Sequence, residues 1–303
     1  MAEMILGLPK EELFCSGHTS CSGCGPALAM RYALKAAGKN TVVVHATGCM
    51  EVVSSAYPLS AWKVPWIHGT FENAPAIASG IERAFKSKGK KVNILAIGGD
   101  GATFDIGLGA LSGMIERGHK VCYICYDNEA YMNTGKQRSS ASPLFANTTT
   151  TPFGKKIHGK LEPKKPLPFI VAAHGVKYVA TASIANPQDF YNKVKKGLAI
   201  DGPSFIHVFA PCQFGWKFPT DKTIEITGQA IKSCVAPIYE IENGILKLNK
   251  VDNKIKIDNY LNMQGRYKHL NKEEVFQLQQ FVDDRWKFLT ELETKGKVFD
   301  VVQ

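Results

Sequence analysis

The chain has 303 residues, of which 45% are apolar and 21% are charged. This length suits one large or two ordinary domains, and the composition excludes wholesale disorder. Basic residues outnumber acidic ones by 37 to 27, and the resulting charge of +10 could serve a nucleic acid, an acidic partner or anionic substrates.

The sequence carries no sign of a membrane segment. No apolar run is long enough to span a bilayer, and acidic residues occur too early for a signal peptide. We therefore expect a cytoplasmic protein with no membrane contact. In that compartment the eight cysteines are expected to be metal ligands or buried thiols rather than disulfides.

Short β-branched runs alternate with helical periodicity from residue 26 to residue 210. This alternation predicts an α/β fold, in which a parallel sheet carries helices on both faces. Predicted strands cover residues 41–47, 92–98, 121–127, 176–182 and 203–210. Predicted helices cover residues 26–37, 74–88, 106–117 and 187–198.

The character of the chain changes twice after this region. Residues 139–165 are rich in Ser, Thr, Pro and Lys and predict a long loop. Further on, residues 239–248 predict a hairpin that turns at Asn243-Gly244, and residues 272–294 predict an amphipathic helix. We therefore divide the chain into a domain of residues 1–220 and a small α+β appendage of residues 221–303.

The first chemical motif is GGDGATFDIG at residues 98–107, between a predicted strand and a predicted helix. Its glycines let the backbone approach a phosphate at the helix N-terminus. Asp100 would repel that phosphate, and a Mg²⁺ ion between them removes the conflict. Asn128 follows the next strand, so it is expected at the same edge of the sheet. A tight turn and a strand-ending asparagine are the structural alternative.

The second motif is CSGC, which contains Cys21 and Cys24. Cys49 follows the first predicted strand and Cys212 follows the last one, so both are expected at the edge that carries Asp100. Four thiols at that edge suit a 4Fe-4S cluster, and a structural zinc site is the alternative.

Cys122 and Cys125 have the same spacing as the CSGC cysteines but lie inside one predicted strand. Residues three apart in a strand point to opposite faces of the sheet. We therefore predict that this pair packs in the core and binds no metal.

Together these motifs resemble the beta subunits of the 2-oxoacid:ferredoxin oxidoreductases, and most closely those that act on pyruvate. The resemblance covers about residues 12–220 and rests on CSGC, Cys49, GDGATFDIG, YDNEAYMNTGKQRS, TPFGK and APCQFGW. It departs from the family pattern at Gln213-Phe214, where a proline and a small residue are expected. The resemblance implies the diphosphate-binding half of the thiamine diphosphate-binding fold.

The resemblance also implies roles for individual residues. Mg²⁺ would be held by Asp100, Asn128 and the carbonyl of Ala130. The diphosphate would lie on Gly101, Ala102 and Thr103, and Cys49 would border the cofactor. Asn133 would be the catalytic residue that reaches the thiazolium and the substrate. The 4Fe-4S ligands would be Cys21, Cys24, Cys49 and Cys212.

The implied activity is the reversible, thiamine-dependent oxidative decarboxylation of pyruvate to acetyl-CoA and CO₂. Coenzyme A would be the co-substrate, and electrons would pass through the cluster to ferredoxin. A branched-chain 2-oxoacid, 2-oxoglutarate or oxalate would fit the same core. A decarboxylase without electron transfer and a zinc-binding nucleic-acid protein are the other interpretations, but the sequence offers no recognition-helix motif for the latter.

The resemblance further implies that the chain works in a complex. Thiamine enzymes need a carboxylate at the aminopyrimidine ring, which in this family comes from an alpha subunit. Gamma and delta subunits, or a fused equivalent, would complete the assembly. We therefore expect this chain to be inactive alone, and we expect no nucleic-acid partner.

Residues 221–303 carry no net charge, so the surplus of basic residues lies in residues 1–220. There it is concentrated in two stretches. Four lysines lie between residues 86 and 91, at the predicted edge opposite the cofactor, and form a solvated face. Residues 136–165 carry seven basic side chains and one acidic one. We predict that this second stretch meets a partner subunit or attracts the anionic 2-oxoacid and coenzyme A.

Overall fold

The computed structural model describes residues 4–56, 58–154 and 156–301. Within these residues lie a central eight-stranded sheet and a separate pair of two-residue strands, β1 (Met4–Ile5) and β2 (Leu8–Pro9). The central strands are β3 (Thr41–Ala46), β4 (Trp66–Gly69), β5 (Asn93–Gly99), β6 (Cys122–Asp127), β7 (Tyr178–Ser183), β8 (Ser204–Phe209), β9 (Tyr239–Glu242) and β10 (Ile245–Leu248).

The order across the sheet is β10-β9-β7-β8-β6-β5-β3-β4. Strands β7, β8, β6, β5, β3 and β4 run parallel to one another, which confirms the predicted parallel sheet. Their carboxyl ends meet at one side of the sheet, which we call the carboxyl edge. In parallel sheets this is the side that binds ligands.

Helices cover both faces of the sheet, as predicted. The described residues form α1 (Gly25–Ala37), α2 (Cys49–Val52), α3 (Ala74–Ser87), α4 (Leu108–Glu116), α5 (Leu167–Ala172), α6 (Pro187–Ala199), α7 (Gln213–Trp216), α8 (Thr223–Lys232), α9 (Asp258–Asn262) and α10 (Lys272–Thr294). Helices α1 and α6 pack on one face through Met30 and Phe190. Helices α3, α4 and α5 pack on the other through Ala78, Met114 and Val171.

The two cysteines of β6 lie in different cores, as predicted. Cys122 is buried on the face covered by α1 and α6, and Cys125 is buried on the opposite face. Both are free thiols. This pair therefore does not share one metal site.

The predicted strands and helices are confirmed to within two residues at each end. Several elements were not expected, among them α5, α8 and α9. Two others concern the sheet and the GDG motif. One is β4, which is short and half exposed at the sheet edge and so lacks the apolar run of a buried strand. The other is a π-helix at Gly101–Ile106, directly before α4, in which the Gly107 N–H donates to the Ala102 carbonyl oxygen at 2.8 Å.

The C-terminal residues extend the central sheet. The hairpin of β9 and β10 turns at Asn243 and Gly244, both at positive φ, as predicted. Strand β9 then pairs antiparallel with β7, which the sequence did not indicate. The α10 helix begins at a capping box formed by Asn271 and Glu274. The division at residue 220 stays a prediction.

Among the described residues, no helix is both long and apolar enough to cross a bilayer.

Candidate functional site

The carboxyl edge holds a small cavity of about 30 Å³. This volume has room for about two water-sized ligands. Most of its wall comes from the ends of β5 and β6 and from the segments that follow β3, β5 and β6, as the motifs predict, and Phe71 after β4 completes it. The lining residues are Thr47, Gly48, Cys49, Phe71, Gly99, Asp100, Gly101, Ala102, Tyr126, Asn128, Ala130, Tyr131, Met132, Asn133 and Thr134. Residues predicted from two separate motifs therefore meet at one site.

Asp100 is buried at this site, with 1% of its surface exposed. Ser139 donates a hydrogen bond to its Oδ2, and the Asn128 backbone N–H lies 3.4 Å from its Oδ1. Burial and the charge of Asp127 raise the pKa of Asp100 well above its usual range. The carboxyl group therefore requires either a proton or a cation.

The side-chain amide of Asn128 shows where such a cation fits. Its inward-pointing atom, placed as the oxygen, lies 2.8 Å from the Ala130 carbonyl oxygen and 3.0 Å from Asp100 Oδ1. Without a cation, a rotated amide would donate hydrogen bonds to both oxygens. With the oxygen inward, three oxygens surround one point, which is the donor set that Mg²⁺ prefers. The predicted Mg²⁺ residues therefore fit the ion.

The glycines of the motif allow close packing beside the cavity. A Cβ atom at Gly101 would lie 2.3 Å from a ring carbon of Tyr131. The Tyr131 hydroxyl donates to the Gly101 carbonyl oxygen at 3.0 Å and to Asp105 Oδ2 at 3.1 Å. Only a residue without a side chain permits this approach.

Thr103 does not line the cavity. Its side chain is fully buried, and its hydroxyl donates to the Gly99 carbonyl oxygen at 2.7 Å and meets the Tyr123 hydroxyl at 3.0 Å. The hydroxyl is therefore bonded within the protein. A contact between Thr103 and the diphosphate stays a prediction, and only the Thr103 backbone is available for it.

Asn133 lies in the segment of residues 128–135, which we call the Asn128 loop. This residue lines the cavity beside Cys49. A hydrogen bond from the Asn133 backbone acts on the Cys49 thiol. The predicted catalytic residue and a predicted cluster ligand thus lie next to each other.

The four predicted cluster ligands differ in exposure, since Cys21 is exposed and the other three are partly buried. Burial raises the pKa of Cys24 and of Cys49 to about 12, and it also raises the pKa of Cys212. The charges of neighbouring cysteines add to each increase: Cys21 and Cys212 act on Cys24, and Cys24 and Cys212 act on Cys49. The four thiols are therefore neighbours.

The thiols nevertheless form no compact single-ion site. Among the residues that the structure describes, no three His, Cys, Asp or Glu side chains are arranged to hold one metal ion. Cys212 receives a hydrogen bond from the Gly215 N–H at 3.3 Å, which favours its thiolate. The cluster on these four thiols therefore stays a prediction.

A buried ionic network beneath the Asn128 loop was missed from the sequence. Asp127 Oδ2 lies 2.6 Å from His207 Nε2 and contacts the Lys164 ammonium. Lys164 also pairs with Glu129 at 3.0 Å, and Glu129 pairs with Arg266 at 2.6 Å. Asp127 and Glu129 flank Asn128 in the sequence, and the other three side chains contact one or both of them.

This network lowers the pKa of Asp127, whereas the pKa of Asp100 is raised. Burial alone would raise the pKa of Asp127, but Lys164 and His207 outweigh that effect and lower it to about 2. An aspartate inside the apolar run CYICYD was the signal that could have revealed the network, because a buried charge needs partners.

The basic stretch of residues 136–165 is not wholly a surface feature. Lys160 and Lys164 point inward, and Lys160 donates to the carbonyl oxygens of Ser142 and Pro163. Arg138 pairs with Glu162 at the surface. Lys155 lies outside the described residues. Attraction of anions or of a partner by this stretch therefore depends on fewer charges than the sequence suggested.

Comparisons with known proteins identify relatives along most of the chain. The family model for the thiamine pyrophosphate enzyme C-terminal TPP-binding domain matches residues 45–208. Pyruvate synthase subunit PorB of Methanocaldococcus jannaschii is 52% identical over 295 residues, covering 94% of this chain and 99% of that protein. Ketoisovalerate oxidoreductase subunit VorB of Pyrococcus abyssi is 48% identical over 296 residues, with 95% of each covered.

A solved structure supports the fold. It is a 2-oxoglutarate:ferredoxin oxidoreductase from Magnetococcus marinus with 2-oxoglutarate, coenzyme A and succinyl-CoA bound. It aligns with a TM-score of 0.57 at 23% identity, covering 70% of this chain and 72% of that one.

Proposed function

The chain belongs to the beta-subunit family of pyruvate synthase, among the 2-oxoacid:ferredoxin oxidoreductases, and we propose that it binds the Mg²⁺ and thiamine diphosphate of a pyruvate-converting enzyme. The observation that carries this proposal is the meeting of the Asp100, Asn128 and Ala130 oxygens at the carboxyl edge. Membership of this family argues against nucleic-acid binding as the explanation of the basic charge.

In this proposal each residue at the cavity has a distinct task. Asp100, Asn128 and the Ala130 carbonyl hold the Mg²⁺, and the backbone at Gly101 and Ala102 receives the diphosphate. When bound, thiamine diphosphate supplies the electron sink for decarboxylation of a 2-oxoacid. Asn133 lines the same cavity and is assigned to contact with the thiazolium and the substrate.

The electron path is the second part of the proposal. Cys21, Cys24, Cys49 and Cys212 hold a 4Fe-4S cluster, and Cys49 also borders the cofactor cavity. That position supports direct electron transfer from the cofactor site to the cluster and then to ferredoxin. Coenzyme A receives the acyl group in the cytoplasm.

The assembly is the third part. The described residues place no carboxylate other than Asp100 in the cavity wall, and Asp100 is assigned to the metal. We assign the thiamine-activating carboxylate to an alpha subunit, with gamma and delta subunits or their fused equivalent completing the complex.

The cluster is tested on enzyme assembled without oxygen, by measuring iron, sulfide and zinc together with visible absorption. Cys49→Ser should remove most of the iron, because a serine is a poor ligand for the cluster. Cys122→Ser is the matched control, since Cys122 is buried in a core and should leave the iron content unchanged. A colourless wild-type protein that contains zinc would refute the cluster.

The substrate is tested on the same assembled enzyme. The 48% identity to a ketoisovalerate oxidoreductase subunit makes a branched-chain 2-oxoacid the second candidate. We expect kcat/KM to favour pyruvate over a branched-chain 2-oxoacid by at least about ten-fold, the usual effect of pocket size. Comparison with 2-oxoglutarate and oxalate completes the series, and a preference for any of the three would replace pyruvate.

A further inference from the structure

The C-terminal segment reaches back to the Asn128 loop through one side chain. Arg266 lies in the 3₁₀ turn Gly265–Tyr267 and is 3% exposed. Its Nη2 donates to Glu129 Oε2 at 2.6 Å and to the Tyr260 hydroxyl at 3.0 Å. Its Nε donates to Gln264 Oε1 at 2.6 Å. The guanidinium is thus fixed within its own segment as well as against the loop.

Glu129 is the first residue on which Arg266 acts. It lies between Asn128 and Ala130, and its φ of +68° is unusual for a residue with a side chain. Lys164 and Arg266 hold its carboxylate, and its N–H donates to Asp127 Oδ1 at 2.8 Å. Strained backbone persists where its surroundings determine it. The two ion pairs thereby fix the backbone turn that presents the Asn128 and Ala130 oxygens.

Trp216 is the second residue on which Arg266 acts. The guanidinium carbon lies 3.6 Å from the centre of the indole ring, close enough for a cation-π contact. The indole N–H donates to the Asn128 carbonyl oxygen at 2.8 Å. Arg266 therefore supports the same tripeptide from two directions.

Stability alone is a poor explanation for this arrangement. A buried ion pair typically contributes little net stability, because the loss of solvation offsets the attraction. An arginine in such a pair instead fixes the positions of its partners, because the planar guanidinium makes several hydrogen bonds in set directions. In this protein the contacts of the guanidinium lead, through Glu129 and Trp216, to Asn128 and Ala130, whose oxygens face Asp100.

We propose that Arg266 is a positioning residue that orders Asn128 and Ala130 for the divalent cation and thereby for the diphosphate. It acts through Glu129 and Trp216 and contacts neither metal nor substrate. The proposal rests on the proposed function for the identity of the cation, and it gives the C-terminal segment a role in the cofactor site.

The test uses the assembled enzyme and Mg²⁺ as the probe. Isothermal titration at saturating thiamine diphosphate gives the Kd for Mg²⁺, and hydrogen exchange of residues 128–135 in cofactor-free enzyme reports the order of the loop. Arg266→Met should weaken Mg²⁺ binding roughly ten- to a hundred-fold and speed exchange in the loop. At saturating Mg²⁺, kcat should recover much of its wild-type value.

A matched control separates positioning from lost stability. Lys193 on α6 is also a buried cation, paired with Asp189 at 2.8 Å and bonded to the Thr181 carbonyl oxygen. Lys193→Met should leave the Kd for Mg²⁺ within about two-fold of wild type, as expected for an independent site.

A double-mutant cycle tests whether Arg266 acts on the Mg²⁺ site through Glu129. Glu129→Gln should weaken Mg²⁺ binding in the same direction as Arg266→Met, and the loss in the double variant should be smaller than the sum of the two single losses. Independent, additive effects would overturn the route through Glu129. If Arg266→Met does not assemble, Glu129→Gln decides alone, and wild-type Mg²⁺ affinity in that variant overturns the proposal.

The failures of the two proposals are distinguishable. Equal shifts in Arg266→Met and Lys193→Met, or unchanged exchange and Kd in Arg266→Met, would overturn the positioning role. A wild-type enzyme that binds neither Mg²⁺ nor thiamine diphosphate would refute the proposed function, while hydrogen exchange in the loop would still test the role of Arg266.

Discussion

Asp100 and Asp127 are buried carboxylates at the carboxyl edge, one directly after β5 and the other at the end of β6. Lys164 and His207 face Asp127 and lower its pKa to about 2. Asp100 is bonded by Ser139 and Asn128, which bring no charge, and its pKa rises well above the usual range. The paired carboxylate is part of the scaffold, whereas the unpaired one is available for a cation.

The same contrast appears between Lys160 and Lys164, two lysines of one loop. Lys164 pairs with Asp127 and Glu129, and these carboxylates raise its pKa. Lys160 is held by backbone carbonyl oxygens, and burial lowers its pKa to about 8. A buried charged group therefore does not by itself identify a ligand site. Whether an oppositely charged side chain lies beside that group decides its role.

The largest expected effect is loss of the paired carboxylate. Asp127→Asn would leave His207 without its ion-pair partner and Lys164 with Glu129 alone, and it should lower the free energy of unfolding by about 3 to 5 kcal/mol, as is typical when one member of a buried pair is removed. Chemical denaturation of the full-length protein measures this change. Asp201→Asn, at an exposed position, is the control. A loss below about 1 kcal/mol would contradict the contrast.

The next effect concerns the unpaired carboxylate. Asp100→Asn should weaken Mg²⁺-dependent binding of thiamine diphosphate by at least about a hundred-fold, because it removes a charged ligand of the ion. The same variant should be at least as stable as wild type without Mg²⁺, since it removes a buried carboxyl group that must otherwise take up a proton. Calorimetric titration and denaturation measure the two properties. Tight Mg²⁺ binding by this variant would refute the assignment.

A smaller effect distinguishes the two lysines by pH. The folded-state pKa of Lys160, about 8, lies below its ordinary value, so the unfolded chain binds this proton more strongly. Its contribution to stability should therefore improve as pH rises, by about 1 kcal/mol between pH 7 and 9. Denaturation of wild type and Lys160→Met over this range measures it. A constant difference between the two proteins would show that the residue does not titrate there.

The smallest effect is expected at the opposite edge of the sheet. Lys90 and Lys91 are exposed, so solvent screens their charges. Replacing both with glutamine should change the free energy of unfolding by no more than about 0.5 kcal/mol and should not alter Mg²⁺ affinity. A clear change in either quantity would mean that exposed charge matters as much as buried charge in this protein.

The sequence predicted the elements that depend on local pattern. Apolar runs and helical periodicity placed the parallel strands and their helices, and strand ends placed Asp100 and Asn128 at one edge. It did not predict that Glu129 pairs with Arg266, 137 residues away. Nothing in the local sequence of either residue encodes such a distant pairing. The attachment of β9 to β7 was missed for the same reason.

The contact between Arg266 and Glu129 also has a consequence for synthesis of the protein. Chains are made from the N-terminus, and contacts between distant residues form late in folding because a long loop must close first. A nascent chain could complete the sheet strands up to β8 before Arg266 has left the ribosome. Its Asn128 loop would acquire its final support only when the C-terminal segment arrives, so an incomplete chain would be a poor competitor for the cofactors of finished enzyme.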